Sequence, residues 1–290
     1  MRPSQVTSLA STLGPCGLGL RREFLSELLD LKPQPVDFLE VAPENWLGLG
    51  GKRAKWFRAY TERYPVICHG LSLSIGGPAP IDTDFVQRLK GFFKSHGIQF
   101  YSEHLSYCSD TQGQLYDLMP MPFTEEAVHY IAKRVKQVQD ILEQPIALEN
   151  VSYYASPPGE MNEADFINAV LEESNCLLLL DVNNIYVNSI NHDYDADHFL
   201  KQMPKERIAY LHIAGHWQKA PDLIIDTHGD AIIEPVWQLL QQTYEQFGFI
   251  PILLERDSDI PELTELLAEV EKIKMIQGAF QTQQEIVYGT

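Results

Sequence analysis

Short apolar runs alternate along this chain with longer stretches in which apolar residues return every three or four positions, the sequence form of repeated βα units. The apolar runs fall at residues 16–20, 38–41, 66–69, 98–104, 145–149, 177–181, 208–213 and 252–255 and predict eight strands. They are apolar almost throughout, as strands buried on both faces of a parallel sheet must be. Between them, residues 82–96, 124–142, 163–173 and 234–247 carry helical periodicity, and Thr124-Glu125-Glu126 makes a helix start. No linker is rich enough in Pro, Gly or Ser to mark a domain boundary. The reading is an α/β protein, one (β/α)8 TIM barrel over residues 1–277 with a polar tail at 278–290. A closed barrel leaves no strand edge open, as a doubly wound sheet would.

In such a barrel, functional groups gather where the strands end. His69 ends the third run, His104 the fourth, Glu149 the fifth and Asp181 the sixth, while His212 lies in the seventh and Glu255 ends the eighth. Singly, a strand-end His or Glu is more often a structural residue. Together they would set several carboxylates around one barrel mouth, where like charges cannot all stay ionised without a cation. The loop after the seventh run adds His216, Asp226 and His228, the last two an Asp-x-His pair able to face one side of an extended loop. Asn184, three residues after Asp181, reaches the same place if the strand turns into a loop there. Imidazole and carboxylate donors without thiolate suit iron, manganese or zinc. The donors outnumber what one ion uses, so two or three ions are expected, with Glu149 as a bridge. Glu40, Glu44 and Asn45 fall at or just past the second run, as supporting or substrate-facing groups, and Trp46, Tyr153 and Tyr154 are candidates to line a pocket.

At 290 residues and 44% hydrophobic, the chain can bury a large core, and its net charge of −18 disfavours nucleic acid as a partner. Four cysteines, Cys16, Cys68, Cys108 and Cys176, lack CxxC spacing and suit reduced thiols. With no membrane-length apolar stretch and no secretory h-region, the expected location is the cytoplasm. No GxxxxGK[ST] or GxGxxG pattern supports a nucleotide site.

Six motifs, in order, carry a family resemblance: His69-Gly70-Leu71-Ser72-Leu73, Ser102-Glu103-His104-Leu105-Ser106, Leu148-Glu149-Asn150-Val151-Ser152-Tyr153, Leu180-Asp181-Val182-Asn183-Asn184, His212-Ile213-Ala214-Gly215-His216 and Ile225-Asp226-Thr227-His228. The chain resembles the multinuclear non-heme iron-dependent oxidative enzymes, a bacterial family with members in methanobactin and 3-thiaglutamate biosynthesis. The resemblance implies a xylose-isomerase-like TIM barrel that binds two or three irons and oxidises cysteine residues of a ribosomally made peptide with O2. A partner protein for the peptide leader is implied as well. Carried over, His69, His104 and Glu149 hold one iron, and Glu149, Asp181, His212 and Glu255 another. Asn184, His216, Asp226 and His228 serve a third, more labile position. Glu149, His104 and Asp181 are the implied catalytic residues. Arg256 departs from the family, where many members have Trp. The same ligand order also resembles zinc phosphodiesterases and sugar isomerases, so a zinc or manganese hydrolase or isomerase is the alternative. A metal-bearing peptide-binding protein without turnover is the third reading.

Overall fold

The computed structural model describes residues 12–155 and 159–288, with 283–288 by backbone alone. Eight parallel strands close into a barrel in the order β1-β8-β7-β6-β5-β4-β3-β2. They are β1 (Cys16–Gly19), β2 (Phe38–Val41), β3 (Val66–His69), β4 (Tyr101–His104), β5 (Ala147–Glu149), β6 (Leu177–Asp181), β7 (Ile208–Ile213) and β8 (Ile252–Leu254). Around them pack α1 (Leu25–Asp30), α2 (Gly51–Thr61), α3 (Thr83–His96), α4 (Glu125–Leu142), α5 (Glu163–Ser174), α6 (Val182–Asn191), α7 (Ala196–Lys201), α8 (Glu234–Phe247) and α9 (Leu263–Tyr288). No helix among the described residues is long and apolar enough to cross a membrane.

Side chains alternate across each strand, and that alternation builds two cores. Leu39, Cys68, Leu148, Leu178, Leu211 and Leu254 face outward into the layer shared with the helices. Phe38, Ile67, Phe100, Ala147, Leu177, Leu179, Tyr210 and Leu253 fill the barrel itself. Gly17 belongs to the interior for a steric reason: a Cβ there would lie 2.4 Å from the Phe38 ring, so its absence lets Phe38 plug the barrel floor. Two positions further along the inward rows stand Glu40 after Phe38, His69 after Ile67, Glu149 after Ala147, Asp181 after Leu179, His212 after Tyr210 and Glu255 after Leu253. The period that packs the barrel with apolar groups therefore delivers polar groups at its mouth. Register keeps them level: His104 pairs with Glu149 and Asp181 with His212.

Several boundaries differ from the sequence expectation. The fourth strand starts at Tyr101, since pairing with β3 opens at Cys68↔Tyr101 and the preceding residues still leave the Gly97 cap of α3. The sixth strand does not turn into a loop, because Asp181 caps α6 and accepts a hydrogen bond from the Asn184 amide at 2.6 Å. Residues 278–288, expected as a tail, continue α9, and 289–290 lie outside the described residues. Two antiparallel hairpins, Tyr107–Ser109 with Gln114–Met119 and Trp217–Ala220 with Leu223–Ile225, were not anticipated. They follow β4 and β7 and so rise beside the mouth.

Candidate metal centre

At the carboxyl ends of the strands, the inward groups form three adjoining clusters. In the first, His69 Nε2 lies 2.9 Å from Glu149 Oε2, and His104 Nε2 lies 3.3 Å from the same oxygen. In the second, His212 Nδ1 is 2.9 Å from Glu255 Oε2, 3.8 Å from Glu149 Oε1 and 3.9 Å from Asp181 Oδ2. Glu149 thus turns one oxygen to each cluster. In the third, His228 Nδ1 lies 3.2 Å from Glu255 Oε2 and 3.6 Å from Asp257 Oδ2, and its Nε2 lies 2.9 Å from Asp226 Oδ1.

The imidazoles share one design. Each of four has one nitrogen bonded to a fixed partner and the other turned toward the centre. His69 Nδ1 meets Ser102 Oγ at 2.8 Å, His104 Nδ1 donates to the Gly70 carbonyl at 3.0 Å, His212 Nε2 meets Glu40 at 3.1 Å, and His216 Nδ1 meets Asn183 Oδ1 at 2.7 Å. Bonding the far nitrogen in this way leaves a lone pair on the near one, as metal-ligating histidines require. His69 Nε2 and His104 Nε2 lie 3.1 Å apart, but six of the other converging atoms, Glu149 Oε2, Asp181 Oδ2, Asn184 Oδ1, His212 Nδ1, His216 Nε2 and His228 Nε2, are buried without a hydrogen-bond partner among the described residues. Buried polar atoms this close, yet misaligned for hydrogen bonding, fit donors aimed at shared cations.

Electrostatics agree. Burial opposes charge on Glu149, but the His104 and His69 imidazoles override it and bring its carboxyl down to about 2. Burial, reinforced by Glu149, pushes Asp181 up to about 8. Burial would lower His104, but Glu149 and Glu103 raise it to about 9. His212 and His228 rise for the same reason, each despite burial, beside Glu40 and Glu255 in one case and Asp226 and Glu255 in the other. Without a cation the carboxylates recruit protons onto their imidazoles, which a bound metal would displace.

The structure brings His69, His104, Glu149, Asp181, His212, Glu255 and His228 within ligating distance of one another in overlapping sets. Asn184 sits beside them, its Nδ2 donating to Glu149 Oε1 at 3.3 Å. His216 and Asp226 are joined through Asn183, whose Nδ2 donates to Asp226 Oδ1 at 2.9 Å, and Ser152 donates to Asp226 Oδ2 at 2.7 Å. Sequence reasoning passed over Asp257 as a donor. Its signal was parity, since Asp257 stands two residues beyond Glu255 on the same side of an extended segment. Arg21 pairs with Asp257 and donates from Nε to the Arg256 carbonyl at 2.6 Å. Arg256 points the other way, bonding Glu269 Oε2 of α9 at 2.7 Å and the Gly229 carbonyl at 2.8 Å, while Glu269 Oε1 accepts from the Ile232 amide at 2.9 Å. A cavity of about 370 Å³ opens onto the first two clusters, with His69, His104, Glu40 and Glu255 at its base and Trp46, Leu71, Ile260, Arg21 and Arg22 on its walls. Trp46 is thus a lining residue as anticipated; Tyr153 and Tyr154 do not line this cavity. Tyr154 instead accepts a hydrogen bond from the Asp226 amide at 3.0 Å.

The model of the RiPP precursor modification enzymes MbnB/TglH/ChrH, which act on ribosomally made peptides, matches residues 15–278. The chain belongs to this family. Family relatives include a UPF0276 protein of Shewanella sediminis, 63% identical over 91% of this chain and 94% of that one, and another of Alcanivorax borkumensis, 58% identical over 89% of each. Among solved structures, the 3-keto-D-glucoside 4-epimerase YcjR of E. coli aligns at a TM-score of 0.61 with 12% identity, covering 90% of this chain and 98% of that one. A xylose isomerase domain protein from Planctomyces limnophilus aligns at 0.60 with 12% identity over 92% and 99%. Endonuclease IV from Thermus thermophilus aligns at 0.57 with 12% identity over 93% and 100%. At such identities these likenesses establish the family fold as a xylose-isomerase-like TIM barrel and nothing about substrate.

Proposed function

We propose that this chain oxidises cysteine residues of a ribosomally made precursor peptide, using two or three iron ions and O2, with a partner protein that holds the peptide leader. The reading takes its substrate class from the family, the presence of metal from the donor set, and iron in particular from the family resemblance of the sequence motifs. One observation carries it: imidazole and carboxylate groups from six barrel strands converge, and among them Glu149, Asp181 and His212, with His216 and His228 beyond, each keep a buried polar atom without a hydrogen-bond partner.

His69, His104 and Glu149 would hold one ion, and Glu149, Asp181, His212 and Glu255 a second. His228 belongs to the third position, with Asn184, His216 and Asp226 around it. Bound iron would supply the redox chemistry and a coordination position for the substrate thiolate. The chain's own groups do the rest. Glu149 ties the first two positions together, and the far-side bonds of the histidines keep their near nitrogens free. Trp46, Leu71 and Ile260 give the entrance cavity an apolar wall that limits water around a bound peptide segment. The four cysteines are free and buried, which leaves the peptide as the source of the reacting thiol and suits a reducing cytoplasm.

The test is co-expression with a short cysteine-containing precursor and its partner, followed by mass spectrometry and metal analysis after anaerobic purification. Iron in the protein and an oxidised peptide, lost in folded Glu149→Ala and His104→Ala variants, are the expected results. Full activity in those variants would overturn the assignment. Zinc or manganese with hydrolysis or isomerisation would replace it with the alternative, and peptide capture without product by the iron-loaded protein would reduce it to a binding role.

A further inference from the structure

Beneath the clusters, one buried carboxylate receives two separate hydrogen-bond paths. Glu40, on β2, stands 3.1 Å from His212 Nε2 through Oε1, and its Oε2 accepts from the Tyr210 hydroxyl at 2.6 Å. Tyr210 in turn lies 2.8 Å from Ser102 Oγ, and Ser102 Oγ lies 2.8 Å from His69 Nδ1. Ser102 and Tyr210 are fully buried and Glu40 is 4% exposed, so no solvent interrupts the path.

With Glu40 ionised, the short links share one direction; the Cys68 carbonyl, at 3.5 Å from Ser102 Oγ, is the longer, alternative acceptor for the Ser102 proton. A carboxylate accepts only, so Tyr210 must spend its proton on Glu40. Ser102 then donates to the nearer Tyr210 oxygen, and the proton between Ser102 and His69 comes from His69 Nδ1. The same carboxylate takes the Nε2 proton of His212. Once neutral, as a metal ligand must be, each imidazole thereby has its lone pair on the nitrogen that faces a cluster, His69 at Nε2 and His212 at Nδ1.

We propose that Glu40 is a shared positioning residue for the first two metal positions, fixing the tautomer of His212 directly and that of His69 through the Tyr210–Ser102 relay. The inference rests on the metal-binding reading above. It makes the two positions unequal in their support. Removing the relay should weaken the His69 side alone, whereas removing the carboxylate should weaken both.

The experiment uses the full chain loaded with Zn(II) alone, so that imidazole ¹⁵N shifts of His69 and His212 can be read, with release to a chelator followed in parallel. In Tyr210→Phe, His69 should show mixed tautomers and its ion should be held roughly 10- to 100-fold less tightly, while His212 and its ion stay as in wild type. In Glu40→Gln, both imidazoles should change and both ions should loosen. Unchanged tautomers and retention in the two variants would overturn the proposal, as would equal loosening of both ions by Tyr210→Phe. A wild-type chain that bound no Zn(II) at these histidines would remove the metal reading and this inference with it.

Discussion

At the scale of single residues, Glu149 is the most consequential side chain, because its two oxygens face different clusters. Glu149→Gln keeps the volume and removes the charge; it should lower the retention of two ions together by at least about 10-fold, measured as metal per chain after chelation. Loss of one ion only would show that the carboxylate does not bridge. His104 sets a pH dependence with a definite sign. In the metal-free chain its imidazole holds a proton up to about 9, and a protonated ring is no ligand. Metal retention should therefore rise with pH toward about 9 and fall as the solution is acidified, and a flat profile in dialysed samples would count against His104 as a ligand. Most of the main donors were legible in the sequence because they end or fall within an apolar run, where an ionisable residue stands out, while His104, after Ser102 and Glu103, was legible from its place at the end of the fourth strand. Asp257 was harder to read, since it lies past the strand among polar residues with only its parity with Glu255 as a signal; its pairing with Arg21 and its approach to His228 are what distinguish it in the fold.

Elements follow the same logic of pattern and cap. Thr124 accepts from the Ala127 amide at 3.2 Å at the start of α4, so Thr124→Ala should cost about 1 kcal/mol in a denaturant titration. Glu163, in the first turn of α5, accepts from Tyr153 and Asn188 in a site whose burial raises its carboxyl from 4.5 to about 7. Its folded-state pKa lies above the unfolded value, so the folded chain binds more protons between these limits and stability should decline as pH rises from about 4.5 to about 7. Glu163→Gln should flatten that slope, which unfolding curves at successive pH values would reveal. Strands and long helices were readable because barrel packing demands their periods. The hairpins were not, since Gln114–Met119 is almost wholly exposed and no apolar alternation announces it. Likewise α6 was hidden behind Asp181, whose role as strand end and helix cap compresses the expected loop to nothing.

For the whole molecule, the donors span His69 to Glu255, so cations would tie together strands that are far apart in the chain. Because the unfolded chain offers no such site, metal at a 100-fold excess over its Kd should add about 2.7 kcal/mol of stability, seen as a Tm that rises on loading and returns with chelator. A Tm indifferent to metal would contradict the clusters as built. The barrel was legible from eight evenly recurring runs, whereas the way its last helix is used was not. Arg256 turns outward to Glu269, and that carboxylate also grips the Ile232 amide. The segments bearing Glu255, Asp257 and His228 are therefore anchored from outside the barrel. Any change that slid α9 along its axis would tug on that tether, and an alteration on the molecule's outer wall would be felt as a disturbance deep inside its mouth.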